Sequence, residues 1–170
     1  MPRTASFFAC GALLVAAALP VSAFAQPKAH VHGQATLDIG LEGRGGTLEF
    51  RAPADDLYGF EHAPKTAAER TKQNAAFAVL RTKGTELVRF DATLGCTLTA
   101  TAVGVLEEKG GHGDVRATYT LACQKAPAGR PIAFGFSKAF PGVHSVKVQL
   151  LSETQQVGAT ITNDKGVVKP

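Results

Sequence analysis

Two short histidine motifs carry the side chains in this sequence that are best suited to bind a metal ion. His30 and His32 are separated by a single valine, and in an extended chain such residues point to the same side. In the second motif His62 directly follows Glu61. Imidazole nitrogen and carboxylate oxygen bind Zn²⁺ at about 2.0 to 2.2 Å. We therefore predict a metal site with His30, His32, His62 and Glu61, where Glu61 either binds the ion or orients an imidazole.

The composition favours zinc over copper at such a site. The single methionine is Met1, whereas a Cu(I) carrier in an oxidising compartment usually has thioether ligands. An amino-terminal Cu(II) motif needs histidine at the third position, and Lys28 stands there if the mature chain begins after Ala25. Histidine with a carboxylate suits Zn²⁺ best, with Ni²⁺ and Cu²⁺ as competitors.

The other two histidines have weaker claims as ligands. His112 lies in the glycine-rich segment 110–114, and we include it among the candidate metal ligands. His144 follows Pro141-Gly142-Val143 and is predicted to lie at the start of a strand. For the first motif, the alternative is a pair of solvated histidines near a flexible terminus.

No catalytic motif accompanies these histidines. The sequence has no G-x-S-x-G motif, phosphate-binding loop, dinucleotide-binding glycine pattern or Cys-x-x-Cys. We expect a binding protein and not an enzyme, and a zinc hydrolase with Glu61 as general base is the least favoured alternative. The basic residues behind the net charge of +4 are scattered with few aromatics among them, so nucleic acid is not an expected partner.

Cys96 and Cys123 are predicted to form a disulfide at the base of a β-hairpin. Two cysteines left in an exported chain favour a disulfide over free thiols. A turn near residues 109–110 also gives one register with an apolar face, a threonine face and the cysteine pair. The predicted partners are Cys96 with Cys123, Leu98 with Leu121, Ala100 with Tyr119 and Ala102 with Ala117.

An earlier hairpin is predicted from the apolar alternation on both sides of residues 43–46. Pairing residue 42 with residue 47 sets Leu41 opposite Leu48 and Ile39 opposite Phe50. Extended past Pro53, this register brings the first histidine motif beside residues 55–62. The two motifs then converge on one ion.

The remaining elements complete the predicted fold. Thr66 and Glu69 form a capping box at the start of a helix over residues 66–82, and Gly84 is the expected C-terminal cap. Residues 53–64 read as a loop. Strands follow at 132–136, 146–151 and 156–162. One helix among about seven short strands predicts an α+β fold, mainly β, with antiparallel, sandwich-like sheets in a single domain over residues 26–170.

Residues 1–25 have the features of a cleavable secretory signal peptide. A basic start at Arg3 precedes the apolar run 11–19, and the small residues Ala23 and Ala25 suit signal peptidase. The run is shorter than the roughly 20 residues that span a bilayer. We expect cleavage after Ala25 and a periplasmic protein whose mature chain does not insert into the membrane.

The sequence around the histidine motifs resembles a known family. The segments AHVHGQA at 29–35 and GFEHAP at 59–64, followed by a helix and a late cysteine pair, resemble the ZrgA family of zinc-regulated periplasmic zinc-binding proteins. The resemblance covers nearly the whole mature chain. It implies a non-catalytic protein that aids zinc acquisition, with a zinc ABC importer and its solute-binding protein as the expected partners. It also implies His30, His32 and His62 as metal-site residues and Cys96–Cys123 as the disulfide.

One segment departs from the family pattern. Many members have a long insert rich in His, Asp and Glu between the two cysteine strands, whereas this chain has only residues 107–114 there. A high-capacity zinc store is therefore not expected, and function would rest on the ordered histidine site. The main alternative is an interaction module, a disulfide-stabilised β domain that binds another envelope protein and has no metal role.

Overall fold

The computed structural model describes residues 31–107 and 112–170. The predicted signal peptide and His30 lie outside these residues. The strands are β1 (Gln34–Glu42), β2 (Gly45–Pro53), β3 (Val88–Arg89), β4 (Thr97–Glu107), β5 (Gly113–Ala122), β6 (Ile132–Phe134), β7 (Ser145–Leu151), β8 (Gln156–Thr162) and β9 (Val167–Val168). The helices are α1 (Ala54–Tyr58), α2 (Ala67–Thr82), α3 (Gly84–Leu87) and α4 (Phe136–Ala139), with a 3₁₀ turn at Ala92–Leu94.

Two sheets form the framework of the described chain. The large sheet has six strands in the order β4-β5-β2-β1-β7-β8, and its neighbours are antiparallel except for the parallel pair β1 and β7. The small sheet has three antiparallel strands in the order β3-β6-β9. The predicted class, α+β and mainly β with antiparallel-dominated sheets, is confirmed.

One apolar cluster lies between the large sheet and the elements that cover it. Alternate residues of β1 are buried, among them Leu37 and Ile39, and the same cluster includes Leu80 of α2 and Phe134 of the small sheet. Phe50 of β2 stacks on Phe136 of α4 with ring centroids 4.4 Å apart. The opposite face of the large sheet is polar, as the alternation of apolar and polar residues predicts.

The long helix forms where its capping signals predict it. The Thr66 side chain accepts the Glu69 N–H and the Glu69 carboxylate accepts the Thr66 N–H, which completes the capping box. Gly84 is not the C-terminal cap, because Lys83 takes that position and Gly84 begins α3. The sequence predicted this one helix, and the short helices α1, α3 and α4 were missed because each is little more than one turn long.

The first hairpin has a different register from the predicted one. Glu42 pairs with Gly45 across a two-residue turn, so Leu37 faces Phe50 and Ile39 faces Leu48. The sequence pattern does not distinguish the two registers, because a shift of two residues leaves the same side chains on the apolar face.

The cysteine hairpin follows its predicted register only up to Ala100. Leu98 pairs with Leu121 and Ala100 with Tyr119, but a β-bulge between Ala100 and Ala102 shifts the pairs beyond it. Ala102 therefore lies opposite Thr118 and not opposite Ala117, which corrects the prediction there. The structure joins Cys96 to Cys123 in a disulfide, as the register required.

The last predicted strands differ only at their ends. Strand β6 stops at Phe134, two residues before the predicted limit, because Phe136 begins α4. Strand β7 starts one residue earlier than predicted, and β8 has the predicted bounds. Within residues 31–107 and 112–170, no helix is long and apolar enough to cross a membrane.

Candidate metal centre

The candidate metal centre lies at the end of the large sheet where β1 begins and β2 ends. The two strands are antiparallel, so the start of one meets the end of the other. His32 lies in the turn before β1, separated from the strand by Gly33, and α1 with Asp55 and Asp56 follows β2. The topology thus brings an imidazole and two carboxylates, which are more than twenty residues apart in sequence, to one place.

His32 faces carboxylates with both ring nitrogens. Its Nδ1 lies 3.8 Å from Asp55 Oδ2 and 3.8 Å from Asp56 Oδ1. Its Nε2 lies 3.6 Å from Glu61 Oε1. One ligand atom each from His32, Asp55 and Asp56 forms a group in which all atoms are within 4.8 Å of one another.

The two donor separations at His32 are close to those in a zinc site. Ligand atoms about 2.1 Å from a tetrahedral ion are about 3.4 Å apart, so the separations around His32 Nδ1 are only about 0.4 Å too long. One nitrogen and two oxygen donors match the ligand types that Zn²⁺ accepts. The fourth coordination position would be left for another ligand or water.

Gly33 connects His32 to the scaffold. Its N–H donates to Asp56 Oδ2 at 2.7 Å, and its carbonyl accepts the N–H groups of His144 and Ser145 at 2.9 Å each. Its φ of +79° is in the left-handed region, and a Cβ at this position would lie 2.8 Å from the His144 ring. Only glycine meets both conditions without strain. His144, predicted at a strand start, directly precedes β7.

Asp56 is the buried member of the group. Its side chain is 6% exposed, compared with 48% for Asp55 and 56% for His32. Burial raises the pKa of the Asp56 carboxyl, while the Gly33 N–H and the nearby His32 act in the opposite direction. A bound cation would supply the positive charge that a buried carboxylate otherwise lacks.

Glu61 connects the centre to the β4–β5 hairpin. Its side chain is 13% exposed, and its Oε2 contacts His112 Nδ1 while its Oε1 faces His32. Gly113, the residue after His112, lies close to the Glu61 backbone carbonyl. A Cβ at position 113 would be 2.8 Å from that carbonyl oxygen. Glu61 therefore joins two of the predicted histidines through one carboxylate.

A partly buried ion pair holds the first residues of β5 next to this contact. Arg51 Nε donates to Asp114 Oδ2 at 2.5 Å, and the Asp114 side chain is only 4% exposed. Arg51 lies on β2 and pairs with Arg116, so the bond ties the hairpin to the central strands. The position of His112 thus depends on the sheet as well as on Glu61.

The structure does not bring every predicted ligand to the centre. His62 is exposed, its Nδ1 lies 2.9 Å from the Ala63 carbonyl oxygen, and its ring stacks on Phe60 at 5.1 Å. It is outside the group of mutually close donors. His30 falls outside the described residues.

Sequence reasoning placed Asp55 and Asp56 near the histidines but not among the ligands. The signal that could have identified them is an acidic pair directly after the strand-ending Pro53, where β2 returns to the start of β1. It had little weight because the segment read as a loop. In the structure its first part is the helix α1, which is capped at its C-terminal end by Gly59 with φ +90°.

Comparison with known proteins adds one finding to this geometry. A search of curated proteins found no match to this chain. The family profile described as ZrgA family zinc uptake protein matches residues 29–170, a range that includes the candidate metal centre and the disulfide. The matched range is well over half of the sequence, and the chain therefore belongs to the ZrgA family of zinc uptake proteins.

Proposed function

We propose that the mature chain is a periplasmic, non-catalytic protein that binds Zn²⁺ through His32, Asp55 and Asp56 and passes it to a zinc ABC importer. The observation that carries the proposal is the group of three donor atoms within 4.8 Å at one end of the sheet. Membership of a zinc uptake family supports zinc as the cargo. The disulfide supports an oxidising compartment.

The exposure of the donors suits a protein that must release its ion. His32 and Asp55 are about half exposed, whereas Asp56 is buried and held by the Gly33 N–H. Structural zinc sites are closed by four protein ligands, often cysteines. A centre with one imidazole and two carboxylates, open on one side, allows a second protein to approach the ion. We propose the solute-binding protein of the importer as that acceptor.

His30, His62 and His112 are proposed as alternative donors for the one remaining, fourth coordination position. His30 is two residues before His32, and His62 directly follows Glu61. His112 reaches the centre through its contact with Glu61. We propose Glu61 itself as the residue that orients His32, since it faces the ring nitrogen opposite the Asp55 and Asp56 side.

The binding step can be tested by zinc titration of the chelator-stripped mature chain under native mass spectrometry. We expect one Zn²⁺ per chain at micromolar metal, and at least tenfold weaker binding in the variants His32→Ala and Asp55→Asn. Asp38→Asn is the matched control, because Asp38 is an exposed aspartate on β1 away from the centre. Less than one ion per chain, or unchanged binding in His32→Ala, would contradict the proposal and favour an interaction module.

The delivery step needs its own experiment. Zinc-loaded protein is mixed with the metal-free solute-binding protein, and the rate of zinc transfer is followed at increasing acceptor concentration. Direct transfer predicts a rate that rises with acceptor concentration and exceeds the rate of release to a chelator. A transfer rate equal to the release rate at every acceptor concentration would show that the ion passes through solution.

A further inference from the structure

Strand β8 is an edge of the large sheet, and within residues 31–107 and 112–170 no strand pairs with its outer side over most of its length. The bonds Asn163 N–H to His144 O and Ser152 N–H to Gln155 O set the alternation of hydrogen-bonded pairs along β7 and β8. By this alternation Gln156, Gly158 and Thr160 direct their N–H and C=O groups away from β7. In the described chain, the outer contact of β8 is that of Lys165 with Thr162 at its end.

The opposite edge of the same sheet is protected. Strand β4 contains the bulge between Ala100 and Ala102, α2 packs along it, and the Arg81 guanidinium donates to the Val103 carbonyl. Bulges, covering helices and charges are the usual ways to prevent edge-to-edge pairing. Strand β8 has no charge and no proline in its seven residues, and its register with β7 is unbroken.

We propose that β8 pairs antiparallel with β8 of a second copy of this chain, about a two-fold axis at Gly158. This register sets Gln156 opposite Thr160 and Val157 opposite Ala159 of the second copy, so polar residues meet polar residues and apolar meet apolar. Val157 and Ala159 are half-buried at the edge of the core, and the added strand covers them. About six backbone hydrogen bonds form, because three outward-facing residues from each copy take part.

Charges at the two ends of β8 complement each other in this arrangement. Glu153 precedes the strand and Lys165 follows it, and both are exposed. Lys165 donates its N–H to the Thr162 carbonyl, so it lies on the outer side of the strand end. The antiparallel pairing brings residue 153 of the second copy towards it, and the exposed Glu153 carboxylate reaches Lys165 once it leaves the Gly43 N–H that it accepts at 3.0 Å. A register with Gln156 opposite Thr162 is blocked, since Lys165 already occupies that carbonyl.

The dimer leaves both metal centres accessible. The centre lies where β1 and β2 meet, and β7 separates β1 from β8. The two-fold axis turns the second copy end over end, so the two centres lie at opposite ends of one continuous sheet. A single strand pair buries less than about 1,200 Å², which is typical of weak, reversible association. The inference does not depend on the proposed function.

The test is the concentration dependence of the mass of the mature chain, measured by sedimentation velocity from about 1 µM to about 500 µM. We expect a reversible monomer–dimer equilibrium in this range. Gly158→Lys and Gly158→Asp each place like charges opposite each other on the axis, and each is expected to weaken the dimer at least tenfold. A mixture of the two variants is expected to restore the dimer as a heterodimer.

Two controls keep the result interpretable. Thr99→Lys makes the same kind of change on the protected edge strand β4 and is expected to leave the dimer unchanged. Far-UV circular dichroism shows whether the position 158 variants fold. If they do not, Thr160→Pro is the substitute variant: it removes one outward N–H and is expected to weaken the dimer. A wild-type chain that stays monomeric at about 500 µM overturns the proposal. A dimer that none of the folded β8 variants weakens also overturns it.

Discussion

At the scale of single residues, the imidazole of His32 lies between a pair of aspartates on one side and a glutamate on the other. His32 directs Nδ1 to the Asp55 and Asp56 pair and Nε2 to Glu61. In zinc sites a ligating histidine usually donates its other ring N–H to a carboxylate, which fixes the tautomer and makes the ligand more basic. In the proposed function, Glu61 is therefore a positioning residue for the ligand His32 and does not touch the ion.

The first prediction concerns Glu61→Gln. The amide keeps the size of the side chain but loses the charge, so we expect zinc affinity to fall about 10- to 100-fold. Competition with a chromogenic chelator measures the affinity, and Glu49→Gln on the polar face of β2 serves as the control. The thermal midpoint of the zinc-free protein separates loss of positioning from loss of folding. Unchanged zinc affinity in Glu61→Gln would rule out the positioning role.

A second prediction at this scale concerns Tyr119, which is buried and donates its hydroxyl to the Leu80 carbonyl at 2.9 Å. Burial raises the pKa of Tyr119 above the value of about 10 in the unfolded chain. Its stabilising contribution is therefore complete below about pH 10 and is lost as pH rises from there towards the folded pKa. For a single tyrosine this loss is about 1.4 kcal/mol at pH 11.

Tyr119→Phe tests both contributions. At pH 7 we expect the free energy of unfolding to fall by about 1 kcal/mol, because the Leu80 carbonyl loses its buried donor. Between pH 8 and pH 11 the variant should lose about 1.4 kcal/mol less than the wild type. Urea unfolding at each pH measures both effects. Parallel pH profiles for the two proteins would contradict the assignment to Tyr119.

At the scale of elements, the short connection before β1 decides whether the ligands meet. We expect Gly33→Ala to weaken zinc binding, because the added Cβ collides with the His144 ring and the φ of +79° is strained for alanine. Gly129→Ala is a matched control: its φ is +71° and a Cβ there meets nothing within 4 Å. Both variants should lose about 1 kcal/mol of stability from the backbone. Only Gly33→Ala should also lose zinc affinity in the chelator competition, and equal effects of the two would contradict this.

The disulfide constrains the cysteine hairpin at its base by joining Cys96 and Cys123, which are 27 residues apart in sequence. For the double variant Cys96→Ser, Cys123→Ser we expect the free energy of unfolding to fall by about 3 to 4 kcal/mol, as loop closure of this length predicts. Denaturant unfolding measures the loss. Because the hairpin carries His112 at its other end, zinc binding of the folded variant should change little. A loss below about 1 kcal/mol would mean that the hairpin is held by its strand pairing alone.

At the scale of the whole molecule, one apolar cluster includes residues of both sheets and of α2. We therefore expect residues 26–170 to unfold as one domain in a single two-state transition. Far-UV circular dichroism and tyrosine fluorescence should give coincident urea curves. Zinc at one hundred times its dissociation constant should add about 2.7 kcal/mol, and chelation should remove it. Two separate transitions, or no shift with zinc, would contradict this prediction.

Much of the fold was predictable because its signals are local or depend only on residue parity. The capping box of Thr66 and Glu69 predicts α2, and alternating apolar residues predict the strands. Cys96 and Cys123 lie opposite each other once the register of the hairpin is set. The first hairpin shows the limit of parity. A shift of two residues leaves Leu37 and Ile39 on the buried face, so the pattern had no preference between the registers.

By itself the sequence predicted a zinc-binding motif at His32 near an acidic segment and a pairing of Cys96 with Cys123, and it showed the resemblance to a zinc uptake family. Only the tertiary structure decided that Asp55 and Asp56 are the carboxylates beside Nδ1 and that His62 turns to Ala63. The physical reason is that these choices depend on contacts between distant segments. The Gly33 N–H donates to Asp56 Oδ2, and Pro53 ends β2 directly before α1. The acidic pair after Pro53 is visible in the sequence, but its contact with the His32 segment is not.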